Sequence, residues 1–172
     1  IGGNHFIHGC RRNIDLTVVV VNNNNYGMTG GQYSPTTPLG AMTKTSVYGS
    51  YEPPFDVCQL AAGAGATYVA RGLTYQPVDL KNSILKGIRH PGFSVIEAMS
   101  DCPSLYGRLN KLGGPADMMR LWADRAVTAE KAKSMSEDEL RDKIVYGRFV
   151  ERGDRREYTE KYAEVIRTAQ EG

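Results

Sequence analysis

The residues of this chain best suited to chemistry lie at positions 22–32, NNNNYGMTGGQ, directly after a run of apolar residues. Asparagine side chains and backbone carbonyls are hard oxygen ligands, the kind that Mg²⁺ prefers. The three glycines would let the backbone approach phosphate oxygens closely, and Thr29 and Gln32 could hydrogen-bond to the same group. The composition therefore predicts a site for a metal-bound diphosphate. A flexible turn is the alternative, because asparagine and glycine are also common turn residues.

A second candidate segment opens the chain, where IGGNH leads into Phe6, Ile7 and Cys10 at helical spacing. Glycines at the N-terminus of a helix allow an anion to come close to the free N–H groups of the first turn. This segment therefore predicts a further contact for a diphosphate. His5 and His8, taken singly, fit structural roles better than catalytic ones.

These segments need a scaffold, and the sequence predicts one of alternating strands and helices. Three apolar runs have the character of strands: residues 16–21, 67–70 and 93–98. The first of them, LTVVVV, has the continuous apolar pattern of a strand buried on both faces in a parallel sheet. Helices are predicted after Pro54 and from Pro77. This alternation implies an α/β fold, a mainly parallel sheet flanked by helices, with ligands at the carboxyl ends of its strands.

The C-terminal part of the chain has a different character. Residues 103–115 are loop-like. Three helices are predicted after them, near Met118, Ser136 and Tyr158. The second is introduced by a capping box, in which Ser136 precedes Glu139 by three residues. We therefore predict an α/β portion at residues 1–102 and a C-terminal loop and helical extension at residues 103–172.

Composition narrows the class of protein. The 172 residues are 41% hydrophobic and 23% charged, as in ordinary soluble globular domains. The formal net charge of +2 is too small to favour nucleic acid or an anionic membrane surface as a partner. No apolar stretch approaches the roughly 20 residues of a transmembrane helix. The three cysteines are widely spaced and odd in number, which argues against a secreted disulfide framework. We expect a cytoplasmic protein with reduced thiols.

Taken together, these segments resemble the β subunits of 2-oxoacid:ferredoxin oxidoreductases, in particular those of the 2-oxoglutarate type. The resemblance is carried by IGGNHFIHGCRRNID, TVVVVNNNNYGMTGGQYSPTTPLG, YVAR and SDCPSLYGR. It covers residues 1–110 strongly and the C-terminal helices more loosely. It implies the thiamine-diphosphate-binding fold, with residues 1–102 as the C-terminal portion of the binding domain.

The resemblance also assigns residues to cofactors. It implies that thiamine diphosphate is bound by Gly2, Gly3, Asn4, His5, Tyr26, Gly27, Met28, Thr29 and Gln32. Mg²⁺ would be held by the side chain of Asn23 and the backbone carbonyl of Asn25, together with the aspartate of a Gly-Asp-Gly motif that precedes IGGNH in the family. At one of positions 24 and 25 the family leads us to expect a smaller or apolar residue, where this chain has asparagine at both.

Cys102 lies in SDCP, just after the third predicted strand. From the sequence alone, a small loop residue is the better interpretation. The resemblance instead implies that Cys102 joins three upstream cysteines, including a Cys-x-x-Cys, as ligands of a [4Fe-4S] cluster, which takes four thiolates. Cys10 and Cys58 match no ligand position and are predicted to be core residues.

The activity implied is conversion of 2-oxoglutarate and CoA to succinyl-CoA and CO2 with reduction of ferredoxin; pyruvate or another 2-oxoacid is the alternative substrate. In the family the catalytic glutamate comes from the α subunit, so no catalytic residue is assigned here. Met28, a long and adaptable side chain, is compatible with the larger acid. The competing hypotheses are another class of thiamine-diphosphate enzyme, and a non-catalytic fragment or assembly module. Because the Gly-Asp-Gly motif is not among the 172 residues, we expect an upstream segment and no activity from this chain alone.

Overall fold

The structure is a computed structural model that describes residues 2–171. The first half of the chain alternates helix and strand as predicted: α1 (Gly3–Arg12), β1 (Leu16–Asn22), α2 (Val57–Gly63), β2 (Tyr68–Leu73), α3 (Pro77–Arg89) and β3 (Phe93–Met99). The second half contains a π-helical turn (Pro103–Gly107), α4 (Pro115–Arg125), β4 (Ala126–Thr128), α5 (Ala129–Ala132), α6 (Glu137–Leu140), β5 (Ile144–Glu151) and α7 (Tyr158–Glu171).

The strands form one five-stranded sheet in the order β1-β3-β2-β5-β4. β3 lies in the middle of three parallel strands, pairing with β1 on one side and β2 on the other. β5 is antiparallel to β2, and the short β4 is parallel to β5. The predicted α/β class with a mainly parallel sheet is therefore confirmed.

Helices cover both faces of the sheet. On one face α1 and α2 pack against β2 and β3. The core between them consists of Phe6, Cys10, Val57, Cys58, Ala61, Ala66, Val69, Phe93 and Val95. The approach of α1 is close, because a Cβ on Gly9 would lie 2.5 Å from the ring of Phe93. On the other face Leu80 and Ile84 of α3 pack against a smaller cluster that includes Tyr68 and Ile96.

The prediction that residues 16–21 are buried on both faces is wrong for the described chain. β1 is an edge strand, so β3 is its only neighbour in the sheet within residues 2–171. Val18 and Val20 pack against the core, whereas Val19 and Val21 are exposed, because α3 covers that face only in part. The apolar run still formed the predicted strand, since β-branched residues favour extended backbone.

The C-terminal part is less purely helical than predicted. The helices near Met118, Ser136 and Tyr158 are present, and the capping box at Ser136 forms as expected. The structure adds a π-helical turn where a loop was expected, and two strands, β4 and β5, that the sequence did not indicate. Because β5 pairs with β2, residues after 102 contribute to the same sheet as the first half. Within residues 2–171, no helix combines the length and apolar character needed to cross a membrane.

Candidate cofactor site

Two of the predicted segments meet at the carboxyl edge of the sheet. β1 and β3 end level with each other, with Asn22 opposite Met99, so the loop that follows β1 and the turn that follows β3 leave the sheet side by side. A Cβ placed on Gly27 would lie 3.3 Å from Cys102 Sγ and 3.7 Å from Asn25 Oδ1. The structure therefore brings the candidate metal loop and the candidate cluster cysteine together, at the edge where ligands bind in open α/β sheets.

The start of the loop is held by hydrogen bonds from side chains. Asn22 Oδ1 accepts from the Asn24 N–H at 2.9 Å and from Thr36 Oγ1 at 2.8 Å. Thr37 Oγ1 donates to the Asn24 carbonyl at 2.7 Å. Asn24 itself lies in the left-handed region, at φ 59°. This conformation explains the asparagine at position 24, because asparagine is the residue after glycine that enters this region most readily.

The two predicted magnesium ligands flank that residue. Asn23 Nδ2 donates to the Ser100 carbonyl at 3.4 Å, which uses the donor half of the amide within the fold. Asn25 is only 6% exposed, and neither Nδ2 nor Oδ1 of its side chain has a hydrogen-bond partner within residues 2–171. A buried polar group without a partner costs about 1–3 kcal/mol. Such an orphaned amide fits a site completed by a polar group from outside the described chain. The amide and carbonyl oxygens that Asn23 and Asn25 offer are of the kind that suits Mg²⁺.

Residues 26–32 form a compact closed turn. Tyr26 and Gln32 form an isolated antiparallel bridge, and the Gly31 N–H donates to the Tyr26 carbonyl at 2.9 Å. Thr29 Oγ1 donates to Gln32 Oε1 at 2.6 Å, and Gln32 Nε2 donates to the Thr29 carbonyl at 2.7 Å. The polar side chains of this turn therefore bond to each other, and Met28 at its tip is fully exposed.

Gly31 shows why glycine is needed in this turn. Its φ is +93°, a conformation that side-chain-bearing residues rarely adopt, and a Cβ there would lie 3.2 Å from Leu105 Cβ. Leu105 belongs to the π-helical turn that follows Cys102. The glycine thus allows the two segments of the site to pack closely.

The N-terminal glycine segment forms the start of a helix, as predicted. Gly2 is the N-cap of α1, without a capping side chain and without an acidic residue in the first turn, while Gly3, Asn4 and His5 are exposed. The free N–H groups of this turn are suited to an anion. Within residues 2–171, however, no hydrogen bond joins residues 2–5 to the loop at 22–32. The common site that the resemblance implies for these two segments stays a prediction.

The three cysteines differ as expected. Cys102 is partly exposed, whereas Cys10 and Cys58 are buried. Burial raises the pKa of the Cys10 thiol to about 11 and that of Cys58 well above its usual value. Both thiols are therefore protonated core residues. They are unsuited to bind a metal, because the ligand must be the thiolate.

One buried polar cluster was missed from the sequence. Arg71 Nε lies 2.6 Å from Glu97 Oε2, and Arg71 Nη2 lies 2.9 Å from Asp56 Oδ1. Burial alone would lower the pKa of Arg71, but the charges of Glu97 and Asp56 more than offset this and raise it.. Asp56, Cys58 and Glu97 also lie close enough to hold a metal ion, but both carboxylates already contact the Arg71 guanidinium. A charged residue inside each of the apolar runs YVARGL and FSVIEAM was the available signal.

Of two cavities at the sheet, one is lined by this cluster. A cavity of about 220 Å³ lies beside it at the carboxyl edge of the sheet, lined in part by Asn24, Thr36 and Lys143. A larger cavity of about 540 Å³ lies between α3 and β5, lined by Asn82 and Arg148 among others, and includes no residue of the loop. The smaller cavity is therefore the one associated with the candidate site.

Comparison with known proteins decides the family. The family described as "Thiamine pyrophosphate enzyme, C-terminal TPP binding domain" matches residues 1–98, which is more than half of the chain. The chain belongs to this family of thiamine pyrophosphate enzymes. Membership confirms the thiamine-diphosphate-binding fold.

Relatives within this family narrow the resemblance. The chain is 57% identical over 151 residues to the 2-oxoglutarate synthase subunit KorB of Methanocaldococcus jannaschii, covering 88% of this chain and 56% of the relative. It is 45% identical over 103 residues to the 2-oxoglutarate oxidoreductase subunit KorB of Mycobacterium tuberculosis, covering 60% of this chain and 28% of the relative. The predicted resemblance to β subunits of the 2-oxoglutarate type is confirmed, and the chain spans about half the length of the archaeal relative.

A solved structure agrees with the sequence relatives. The 2-oxoglutarate:ferredoxin oxidoreductase from Magnetococcus marinus, with 2-oxoglutarate, coenzyme A and succinyl-CoA bound, superposes with a TM-score of 0.80 at 25% identity. The match covers 98% of this chain and 58% of that chain. Because nearly all of the chain is matched, β4, β5 and α7 belong to the shared architecture.

Proposed function

We propose that this chain is part of the β subunit of a 2-oxoacid:ferredoxin oxidoreductase, and that its loop at residues 22–32 holds thiamine diphosphate through Mg²⁺. The observation that carries the proposal is the arrangement around Gly27. A buried amide, Asn25, has no partner within residues 2–171, and it adjoins the partly exposed Cys102 at the carboxyl edge of the sheet. The large majority of buried polar side chains in folded proteins have a hydrogen-bond partner, so this amide calls for one.

In this proposal the residues of the chain bind and orient the cofactor. The side-chain oxygen of Asn23 and the backbone carbonyl of Asn25 are ligands of Mg²⁺. The turn at residues 26–32 and the N-terminus of α1, residues 2–5, contact the cofactor and its diphosphate. Thiamine diphosphate, when bound, supplies the chemistry of decarboxylation.

We propose further that Cys102 is one of four thiolate ligands of a [4Fe-4S] cluster that receives the electrons. Its partial exposure supports this, because a ligand must be reachable from the other parts of the enzyme. All three cysteines are free, which fits a reducing cytoplasm as the place where the enzyme works.

The substrates we propose are 2-oxoglutarate and CoA, converted to succinyl-CoA and CO2 while ferredoxin is reduced. The names of the relatives and the ligands bound to the Magnetococcus marinus enzyme support this choice. The side chain of Met28 is fully exposed at the tip of the loop, which leaves it free to contact a substrate.

The α subunit is the proposed partner, and it would supply the catalytic glutamate. An exposed apolar surface on the segment beside the loop supports a partner there: Leu39, Val47, Tyr48, Tyr51 and Phe55. This segment is tied to the loop, since the Lys44 N–H donates to the Gly31 carbonyl at 2.9 Å. Contiguous exposed apolar residues of this kind mark interaction sites.

The metal assignment is tested by Asn23→Ala in the assembled enzyme. Calorimetric titration with thiamine diphosphate in the presence of Mg²⁺ should show affinity reduced about tenfold or more, because one of the metal's protein ligands is lost. The unfolding midpoint should stay near that of the wild type. Asn82→Ala, at an exposed position on α3, is the matched control. Unchanged cofactor affinity in Asn23→Ala would show that the metal site lies elsewhere.

The cluster assignment is tested by Cys102→Ser in the same enzyme. We expect loss of the visible iron–sulfur absorbance and of ferredoxin reduction, with the fold retained. Ser104→Ala, at an exposed position two residues along the chain, should keep both. Normal iron content in Cys102→Ser would contradict the assignment.

A further inference from the structure

A chain of buried hydrogen bonds runs from the middle of the sheet to the start of the loop. Asp56 and Glu97 both contact the guanidinium of Arg71. The second carboxylate oxygen of Glu97 accepts from Asn22 Nδ2 at 2.8 Å. Glu97 is only 2% exposed, so this contact is shielded from water. The charge network therefore extends to the residue that ends β1.

The contact with Glu97 fixes which way the Asn22 amide faces. An amide has donors on one side and an acceptor on the other, so with Nδ2 on the carboxylate, Oδ1 must face the loop. There Oδ1 accepts from the Asn24 N–H at 2.9 Å. Thr37 Oγ1 holds the Asn24 carbonyl from the other side. Both backbone groups of Asn24 are thus bound by side chains, and a residue without this support would leave the left-handed conformation more readily.

Asn24 separates the two proposed metal ligands, so its conformation sets the angle between them. We propose that Glu97 is a positioning residue: acting through Asn22, it holds Asn24 left-handed and thereby directs the Asn23 side chain and the Asn25 carbonyl to one metal ion. This inference rests on the proposed function, because it assigns Glu97 a task at the proposed magnesium site.

The two outer contacts of Glu97 respond differently to substitution. Glu97→Gln is nearly the same size but replaces one acceptor by a donor, so either Arg71 or Asn22 then faces a donor. Asn22→Ala leaves the contact between Arg71 and Glu97 in place and removes only the link to the loop. Both variants should release Asn24, while only the first disturbs the ion pair.

The experiment measures thiamine diphosphate affinity at fixed Mg²⁺ in the assembled enzyme. Glu97→Gln and Asn22→Ala should each weaken binding about tenfold, the effect of losing a held left-handed residue. Adding Asn24→Gly to either variant should restore most of the affinity, because glycine adopts this conformation without help. Asn24→Gly alone is the reference for these double variants, and Glu160→Gln, at an exposed position on α7, is the control for the charge change.

Restoration of affinity by Asn24→Gly distinguishes a positioning role of Glu97 from a contribution to the stability of the core. Failure of Asn24→Gly to restore binding, in both backgrounds, would overturn the inference. Wild-type affinity in Asn22→Ala would also overturn the inference. Because this variant keeps the ion pair, it provides the test if Glu97→Gln does not fold. Asn23→Ala in the same assay separates this inference from the proposed function: if it binds normally, the metal site itself is misassigned.

Discussion

Among the polar residues, Asn13 is the one whose replacement should lower the free energy of unfolding most. It is fully buried at the end of α1, in the left-handed conformation at φ 55° and ψ 50°. Its Oδ1 accepts from Thr67 Oγ1 at 2.8 Å and from the Phe93 N–H at 2.9 Å. Its Nδ2 donates to the carbonyls of Arg155 and Arg156, at 3.1 and 3.2 Å. One amide therefore joins the starts of β2 and β3 to the segment that precedes α7.

The magnitude follows from what Asn13→Ala leaves without a partner. The Phe93 N–H is buried and would be left unsatisfied, at a cost of about 1–3 kcal/mol, whereas the Thr67 hydroxyl keeps His90 Nε2 as a partner at 2.8 Å. The two arginine carbonyls lie nearer the surface and are hydrated more easily. Alanine in the left-handed region adds roughly 1 kcal/mol. The free energy of unfolding should therefore fall by about 2–4 kcal/mol.

Urea denaturation followed by circular dichroism measures this change. Asn13→Gly should recover about 1 kcal/mol relative to alanine, because glycine tolerates the left-handed conformation but makes none of the four hydrogen bonds. Asn82→Ala, at an exposed position, should lie within about 0.5 kcal/mol of the wild type. A loss below about 1 kcal/mol in Asn13→Ala would refute the reasoning, since that is the value of one ordinary hydrogen bond.

Two further predictions concern the site. Gly31→Ala should make residues 26–32 more sensitive to limited proteolysis, because its φ of +93° is strained with a side chain and its Cβ meets Leu105; Gly153→Ala, with no atom within 4 Å of its Cβ, should not. In protein without bound cluster, iodoacetamide at neutral pH should label Cys102 in mass spectrometry and the two buried cysteines only after denaturation, since burial raises their pKa. Labelling of a buried cysteine first would contradict the burial seen here.

The elements of the first half were predictable because their signals are local. Residues 16–21 and 93–98 are apolar runs with β-branched residues, and Pro77 marks the first turn of α3. β5 lacks such a signal: IVYGRFVE contains Gly147 at φ +107°, and its residues are only partly buried. Its place in the sheet is set by antiparallel pairing with β2, a contact across more than seventy positions of sequence that no local pattern indicates.

The candidate site likewise has parts that the sequence predicts and parts that it does not. The loop at 22–32 and Cys102 could be predicted, because each follows an apolar strand and the ends of parallel strands share one edge. The contact between Arg71 and Glu97 could not, because it depends on register. These two residues are direct partners in the pairing of β2 with β3. A shift of one position would have placed Glu97 opposite an apolar neighbour and pointed the two side chains to opposite faces.

The buried pair of Arg71 and Glu97 is poorly explained by stability alone. Replacing a buried ion pair with well-packed apolar residues is often neutral or stabilising, because the cost of removing two charges from water offsets their attraction. An apolar pair in the middle of this sheet would therefore fold as well, but it would offer no acceptor to Asn22. The charges fix the orientation of a side chain. The Glu97 carboxylate is held by the Arg71 guanidinium on one side and accepts a hydrogen bond from Asn22 on the other. This contact orients the Asn22 amide, which in turn holds Asn24. The ion pair is best understood as the rigid base of the loop, with its effect at the proposed metal site rather than in the core.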